Sequence, residues 1–441
     1  MQGMNWTRRT VLLGSAGLLA GCDWFGESKD RLPGVRRPVL AAQRPLEADA
    51  ALAAQPFTLP APVARAEWPQ PGSGPAHATG QAALGPRLAE IWRSSAGTGS
   101  SYRRRLTTGP VIAQGMVFAA DAYGEVSAFD LATGARRWRF DTRPEKDDVG
   151  AVGAGCAFAD GTLYVATGLA ELLALDPANG KPRWRIGLPA PTRGAPTVAE
   201  GRVFVPTLEN QLLVFSAADG KRLWAYRAQQ AVAMPLGLPG PAVAEGFVVA
   251  GFPSGELVAL RPEDGRVQWT ESLAGRSRGG VGDIPGVRGL PVIHEGRVYA
   301  MGMGGTSMAV DLRSGRRLWE VEIGGTESPV VAGNWLFLIG GNGTLLAMER
   351  ESGRIRWIND LNAPPEGKER KKDENATFGT PLLAGGRLIL PSSKEEALLI
   401  DAGTGAIGGR LRLPGAVSLP GAIAQDTLVL LTDDGAVVAY K

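Results

Sequence analysis

The sequence predicts an all-β protein, an eight-bladed β-propeller whose blades are four-stranded antiparallel sheets. The first observation is composition, because 61 glycines and 32 prolines among 441 residues leave little room for long helices, while a hydrophobic share of 44% excludes a chain that is disordered throughout. The second is a recurring turn in which a glycine is followed four residues later by a tryptophan. The third is the spacing of these tryptophans, which lie 38 to 50 residues apart, as propeller blades do.

Each repeat has the pattern of four short strands separated by turns. A proline precedes an apolar strand, a glycine turn leads into a second strand, a third strand follows, and the glycine–tryptophan turn introduces the fourth. Such a sheet is marginal alone and becomes stable when it stacks on two neighbours, so we expect the tryptophan to fill the space between blades. A seventh match, at Gly405, has Gly409 in the tryptophan position. The complete pairs are Gly134 with Trp138, Gly180 with Trp184, Gly220 with Trp224, Gly265 with Trp269, Gly315 with Trp319, and Gly353 with Trp357.

The two ends of the repeat region are predicted to complete one blade between them. Residues 420–440 supply three strands, and residues 88–94 supply a fourth with Trp92 in the outer position. Pairing these terminal strands closes the ring and removes the open sheet edges that promote aggregation. Residues 68–441 then divide into eight blades of about 47 residues each.

The N-terminus, residues 1–21, is typical of an export signal peptide. Arg8 and Arg9 form a basic start, and the apolar run that follows has eleven residues, too few for a bilayer that needs about 20. Residues 19–22, Leu-Ala-Gly-Cys, resemble the lipobox of bacterial lipoproteins, which are cut before a cysteine that carries diacylglycerol. Cys22 is therefore the predicted lipidation site. A soluble signal peptide and a short buried helix are the alternatives, and both Sec and twin-arginine export stay open.

Residues 22–67 are predicted to be a flexible tether between the lipidated cysteine and the propeller at 68–441. They are rich in alanine, proline and charge and have no sustained hydrophobic period. A flexible chain of this length has an end-to-end distance of about 35 to 40 Å. Asp23 resembles an inner-membrane retention signal of enteric bacteria, so a periplasmic or inner-membrane propeller with another protein partner stays open as an alternative.

Scarce residue types argue against several kinds of site. Two histidines and two cysteines are too few for a zinc cluster or a disulfide framework and leave little histidine acid–base chemistry. The formal charge of +3 arises from basic and acidic residues that alternate along the chain, so no nucleic-acid groove is predicted. We expect Cys156 to be a small buried apolar residue and His77 and His294 to lie at the surface. No catalytic residue and no metal ligand is predicted.

The element from Ala128 to Trp138, which contains Asp-x-x-Thr-Gly, resembles the repeat of pyrroloquinoline-quinone-type propellers, and a similar element runs from Ala174 to Trp184. Two kinds of protein use this repeat: quinone-dependent alcohol and sugar dehydrogenases, and the BamB family of outer-membrane assembly lipoproteins. The dehydrogenases use calcium, a catalytic aspartate and commonly two adjacent cysteines, and this chain has no adjacent cysteines. A quinone-dependent periplasmic dehydrogenase with calcium remains the alternative hypothesis.

The resemblance to the BamB family extends to the lipobox, the tether, the number of repeats and the length. It implies a non-enzymatic scaffold without a cofactor, anchored by its lipid to the periplasmic face of the outer membrane. The partners that it implies are BamA, the other subunits of the BAM complex and unfolded outer-membrane proteins awaiting insertion. Nucleic acid is not among them.

Two segments between predicted blades break the repeat and are candidates for a partner-binding surface. Residues 228–240 place apolar side chains in a loop that should be exposed, and residues 274–290 are rich in arginine. In the BamB family, loops at corresponding places dock BamA, with a Leu-Arg pair usual in the first; here proline and leucine stand in that place, and the second loop retains one acidic residue. Solvated loops packed on their own blades are the alternative. The candidate residues are Leu236, Leu238, Arg278, Asp283 and Arg288.

Overall fold

The propeller predicted from the repeats is confirmed. Within the described part of the chain, 32 strands form eight four-stranded antiparallel sheets, and no helix is long or apolar enough to cross a membrane. Seven sheets use four consecutive strands, and the eighth joins the three C-terminal strands to the first strand of the chain. Residues 46–441 are one compact unit. The computed structural model describes residues 46–143, 153–231, 233, 235–273, 286–364 and 375–441.

Each blade begins with a short inner strand that borders the central channel. Six of these described strands directly follow a proline, which is tolerated where a backbone N–H would otherwise be left without a strand partner. The inner strands of blades 1 to 8 are β2 (Val111–Ala113), β6 (Ala154–Ala159), β10 (Thr197–Ala199), β14 (Ala242–Ala244), β18 (Val292–His294), β22 (Val330–Ala332), β26 (Leu382–Ala384) and β30 (Ala422–Ala424).

The two middle strands of each blade form the core. Their side chains are buried on both faces because a neighbouring blade covers each side, so the strands are continuous apolar runs. The second strands are β3 (Met116–Ala120), β7 (Thr162–Thr167), β11 (Arg202–Thr207), β15 (Phe247–Gly251), β19 (Arg297–Met301), β23 (Trp335–Ile339), β27 (Arg387–Pro391) and β31 (Thr427–Leu431). The third strands are β4 (Glu125–Asp130), β8 (Glu171–Leu175), β12 (Gln211–Ser216), β16 (Glu256–Leu260), β20 (Ser307–Asp311), β24 (Thr344–Glu349), β28 (Glu396–Asp401) and β32 (Ala436–Tyr440).

The outer strand of each blade is a solvent-facing sheet edge. In blade 1, Trp138 is buried whereas Arg137 and Arg139 point into solvent, and charged side chains on an edge discourage the addition of further strands. The outer strands of blades 1 to 7 are β5 (Arg136–Asp141), β9 (Pro182–Gly187), β13 (Arg222–Arg227), β17 (Val267–Ser272), β21 (Arg317–Val321), β25 (Ile355–Asp360) and β29 (Ile407–Arg412), and that of blade 8 is β1 (Glu90–Ser95).

The repeat tryptophans lie between blades, as the sequence predicts. The indole of Trp138 in blade 1 donates a hydrogen bond to the Pro177 carbonyl of blade 2, and Gly180 lies so close to the ring that a Cβ there would be 2.6 Å from it. Each of these tryptophans is therefore a wedge between two blades, which combines apolar burial with a specific hydrogen bond to the next blade. The seven described bonds join Trp92 to Leu131, Trp138 to Pro177, Trp184 to Ala217, Trp224 to Pro262, Trp269 to Leu312, Trp319 to Arg350, and Trp357 to Ala402.

Ring closure explains why Gly409 stands in the tryptophan position of blade 7. In the other blades, the turn between the third and outer strands receives the indole of the preceding blade. Blade 8 takes these two strands from opposite ends of the chain, with Glu90 of β1 opposite Tyr440 of β32, so no such turn connects them. A tryptophan in blade 7 would have no turn to receive it.

Residues 46–84 form an N-terminal strap that packs on the propeller. The strap begins beside blade 6, where a short helix, α1 (Ala50–Ala53), is capped by Asp49 and where the Trp335 indole donates to the Thr58 carbonyl at 2.9 Å. Arg356 donates to two further strap carbonyls, at Leu52 and Gln55. Residues 46–67, predicted to belong to the flexible tether, are therefore part of the propeller body.

The second half of the strap enters the channel and bonds to the inner strands of successive blades. Trp68 and Ile112 exchange two backbone hydrogen bonds of 2.8 Å, and the Gln70 side chain makes two bonds of 2.9 Å with the backbone of Val198. The strap thus fills one end of the channel, the end at which the inner strands turn into the second strands. His77 was expected at the surface, but it is 3% exposed because the strap carries it inside, where its Nδ1 donates to the Pro291 carbonyl at 2.8 Å.

Candidate partner-binding face

The channel opens at the end where the inner strands begin. A cavity that is partly open to solvent lies there, and we call it the cup. Its walls are the segments that precede the inner strands of seven blades, among the described residues, and include Leu238, Leu290 and Leu419. Pro71 and His77 of the strap also line it. We call the opening of the cup to solvent its mouth.

The Arg288 side chain links two neighbouring segments at the mouth through hydrogen bonds. Its guanidinium donates to the Leu236 carbonyl at 2.8 Å, to the Thr326 carbonyl at 3.3 Å and to the Glu327 carboxylate at 3.1 Å. Glu327 is 8% exposed and also accepts bonds from the hydroxyls of Thr326 and Thr380. Arg288, predicted as a partner-binding residue, therefore lies at the mouth and fixes the loop that carries Leu236 against the segment between blades 5 and 6.

The two candidate leucines lie in different environments. Leu236 is 55% exposed at the mouth, so its apolar side chain is available to a partner. Leu238 is 6% exposed and forms part of the cup wall, and its N–H donates to the Arg193 carbonyl at 3.1 Å. The expectation that Leu238 would be exposed is wrong, because the loop turns inward at Gly237, where φ is +98°. Arg278, Asp283 and the lipidation candidate Cys22 lie outside the described residues.

A second cavity adjoins the cup at the mouth, and we call it the arginine notch. Arg105, Arg193 and Arg288 are the charged residues among the described residues that line it, together with Leu106 and Leu236. The Arg193 Nε is buried and has no hydrogen-bond partner within the described chain. Arg105 and Arg193 are not among the residues predicted from the sequence, although the run of arginines from Arg103 to Arg105 was a visible signal for Arg105.

The cup does not fit a quinone and calcium site. Calcium needs several converging oxygen ligands, and the described residues of the cup include one carboxylate, that of Glu327, which is already ion-paired with Arg288. No group of three or more histidine, cysteine or acidic residues in the described part of the chain is arranged to hold a metal. Cys156 is buried as expected, and burial raises the pKa of its thiol to about 12, so it is an unreactive apolar residue.

Solved structures with this architecture include both kinds of protein that carry the repeat. The crystal structure of BamB from Moraxella catarrhalis superposes with a TM-score of 0.67 at 18% identity, covering 80% of this chain and 100% of that one. The quinohemoprotein alcohol dehydrogenase from Comamonas testosteroni gives a TM-score of 0.65 at 14% identity, covering 85% and 80%. At such low identities these similarities support the fold alone.

Sequence comparison identifies relatives of the BamB kind. The outer membrane protein assembly factor BamB of Burkholderia pseudomallei is 28% identical over 359 residues, which is 80% of this chain and 87% of that protein. The Shewanella oneidensis BamB is 27% identical over 331 residues, 73% of this chain and 80% of that protein. The family model described as outer membrane protein assembly factor BamB matches residues 82–146 and 122–359. These matches span more than half of the chain, which therefore belongs to the BamB family.

Proposed function

We propose that this chain is a non-enzymatic accessory lipoprotein of the BAM complex, which binds BamA and assists the insertion of outer-membrane proteins. Membership of the BamB family is the observation that carries the proposal. In this proposal the protein is held on the periplasmic face of the outer membrane by a lipid on Cys22. The other BAM subunits and unfolded outer-membrane proteins are its further partners.

The mouth face is the part of the propeller that we propose as the BamA-binding surface. Leu236 offers an exposed apolar side chain, and the Arg288 bonds hold its loop in place, so little ordering is needed on binding. The opposite end of the channel is occupied by the strap, which makes the mouth the open end. A rigid apolar anchor beside charged residues is typical of a protein–protein interface.

Leu236→Asp is expected to weaken binding of the mature protein to the periplasmic part of BamA by at least about tenfold, because a buried contact is replaced by a charge. Biolayer interferometry with the purified proteins measures the dissociation constant. Leu223→Asp is the matched control, since Leu223 is 48% exposed but lies on the outer strand β13, away from the mouth. Equal affinities for the Leu236→Asp variant and the wild type would rule out this surface, and no binding by the wild type would contradict the proposed function.

Cys22→Ser is expected to abolish acylation, because the thiol is the group that receives the lipid. Cells grown with an alkyne-labelled fatty acid should incorporate the label into the wild type and into a Cys156→Ala control, whose cysteine is buried, but not into Cys22→Ser. Separation of inner and outer membranes by density then locates the labelled protein. Label retained in the Cys22→Ser variant would refute the anchor, and label confined to the inner membrane would refute the outer-membrane location.

A further inference from the structure

The cup and the notch differ in charge in a way that suggests how a ligand would lie. Pro71 and His77 of the strap line the cup, and the His77 imidazole is neutral because burial lowers its pKa to about 4. The walls add Leu238, Leu290 and Leu419. The charged side chains among the described lining residues are Arg288 and Glu327, and these two are already paired with each other. The interior of the cup is therefore suited to an uncharged, largely apolar group.

The notch, in contrast, is suited to negative charge. Arg105, Arg193 and Arg288 line it, and no acidic residue is among the described residues that do so. Neither Arg105 nor Arg193 has an ion-pair partner within the described part of the chain, and the buried Nε of Arg193 lacks an acceptor. A guanidinium that loses water without gaining an acceptor is unfavourable, so a carboxylate placed in the notch would supply a missing interaction.

We infer that the mouth binds an extended, acidic segment of a partner protein, with an aspartate or glutamate in the arginine notch and a neighbouring apolar side chain in the cup. The inference rests on the function proposed above, since it describes what occupies the same mouth. The two cavities adjoin and share lining residues, among them Gly237 and Arg288, so one extended segment can reach both. A free inorganic anion would use the arginines but not the apolar walls, which favours the peptide.

The direct test uses two fluorescent peptides that differ only in charge, Gly-Asp-Leu-Phe-Asp-Gly and its counterpart with asparagine in place of aspartate. Fluorescence anisotropy with the full mature protein should show at least about tenfold tighter binding of the aspartate peptide, because charge-assisted bonds to arginine are made by it alone. Its affinity should fall as salt is raised, since rim charges are screened. Equal binding of the two peptides would overturn the inference, as would binding of inorganic phosphate with no binding of either peptide.

The arginines are tested by the double variant Arg105→Gln/Arg193→Gln, which should lose the preference for the aspartate peptide. Arg222→Gln is the matched control, because Arg222 is an exposed arginine at the start of the outer strand β13. Melting temperatures close to that of the wild type confirm that the variants are folded. A preference retained by the double variant would overturn the assignment of the notch.

The same proteins, measured against the periplasmic part of BamA, separate this inference from the proposed function. We expect the double variant to bind BamA about tenfold more weakly than the wild type and the Arg222→Gln control. If the wild type fails to bind BamA but binds the aspartate peptide through the arginines, the proposed function fails and the inference stands. If the double variant binds BamA like the wild type and both peptides bind equally, the function stands and the inference is overturned.

Discussion

Replacing Trp138 with alanine is expected to lower the free energy of unfolding by about 3–5 kcal/mol. The indole is 9% exposed, its ring lies 5.9 Å from that of Phe118, and it donates a 2.7 Å hydrogen bond to the Pro177 carbonyl of the next blade. The substitution leaves a cavity between blades 1 and 2 and a carbonyl without its donor. Urea unfolding followed by circular dichroism measures the change.

The turn glycines supply a matched comparison for this wedge. A Cβ on Gly180 would lie 2.6 Å from the Trp138 ring at a φ of +73°, so Gly180→Ala should also destabilise the protein, by more than about 1 kcal/mol. A Cβ on Gly409 would be 3.5 Å from its nearest neighbour, a Leu399 methyl, so Gly409→Ala should change stability by less than about 0.5 kcal/mol. Equal effects of the two substitutions would contradict the role assigned to the wedge.

The propeller could be predicted because its constraints are local and repeated. The four-residue step from Gly180 to Trp184 recurs at nearly every blade, and each instance follows from one requirement, that an indole must lie on the turn of the next blade. Ring closure could be predicted as well, because the final repeat lacks an outer strand and residues 88–94 supply it. Ring closure also explains why glycine replaces tryptophan at position 409, but this reason becomes clear only from the pairing of β1 with β32.

The strap could not be predicted because nothing in it repeats. Residues 46–84 have no strand or helix period, and their bonds join positions far apart in the chain, such as His77 to Pro291 and Trp335 to Thr58. A proline- and glycine-rich segment of this kind is equally compatible with a solvated tether. Its burial depends on the channel that the rest of the chain builds, so the single histidine in it was expected at the surface.

The mouth was predicted in part. Interruption of the repeat located the two loops that carry Leu236 and Arg288, but composition could not show that Leu238, two residues after Leu236, turns inward at Gly237. The same limit applies to the notch, because Arg105 and Arg193 are far apart in sequence and meet only when blades 8, 1, 2 and 3 are arranged in the ring. Sequence patterns therefore identify loops, whereas the ring decides which side chains share a cavity.

Lowering the pH from 7 to 4 is expected to destabilise the protein by up to about 3 kcal/mol through His77. Burial lowers the pKa of this imidazole from 6.5 to about 4, and the bond to the Pro291 carbonyl opposes the shift only in part. In the unfolded chain His77 takes up a proton near pH 6.5, whereas in the folded protein it stays neutral until about pH 4. Between these two pH values the unfolded state binds more protons than the folded state. The stability that depends on a neutral His77 is therefore complete above pH 6.5 and is lost as the pH falls to 4.

His77→Asn removes this titration while keeping a donor for the Pro291 carbonyl, so stability of the variant should depend less on pH between 7 and 4. Urea unfolding at several pH values gives both curves, and carboxyl groups that titrate in the same range affect both proteins alike. His294→Asn is the control, since His294 is half-buried and Glu295, 3.7 Å away, opposes the lowering of its pKa by burial. His77 is buried only while the strap fills the channel, so parallel curves for the wild type and the His77→Asn variant would mean that the strap does not shield this histidine in the folded protein.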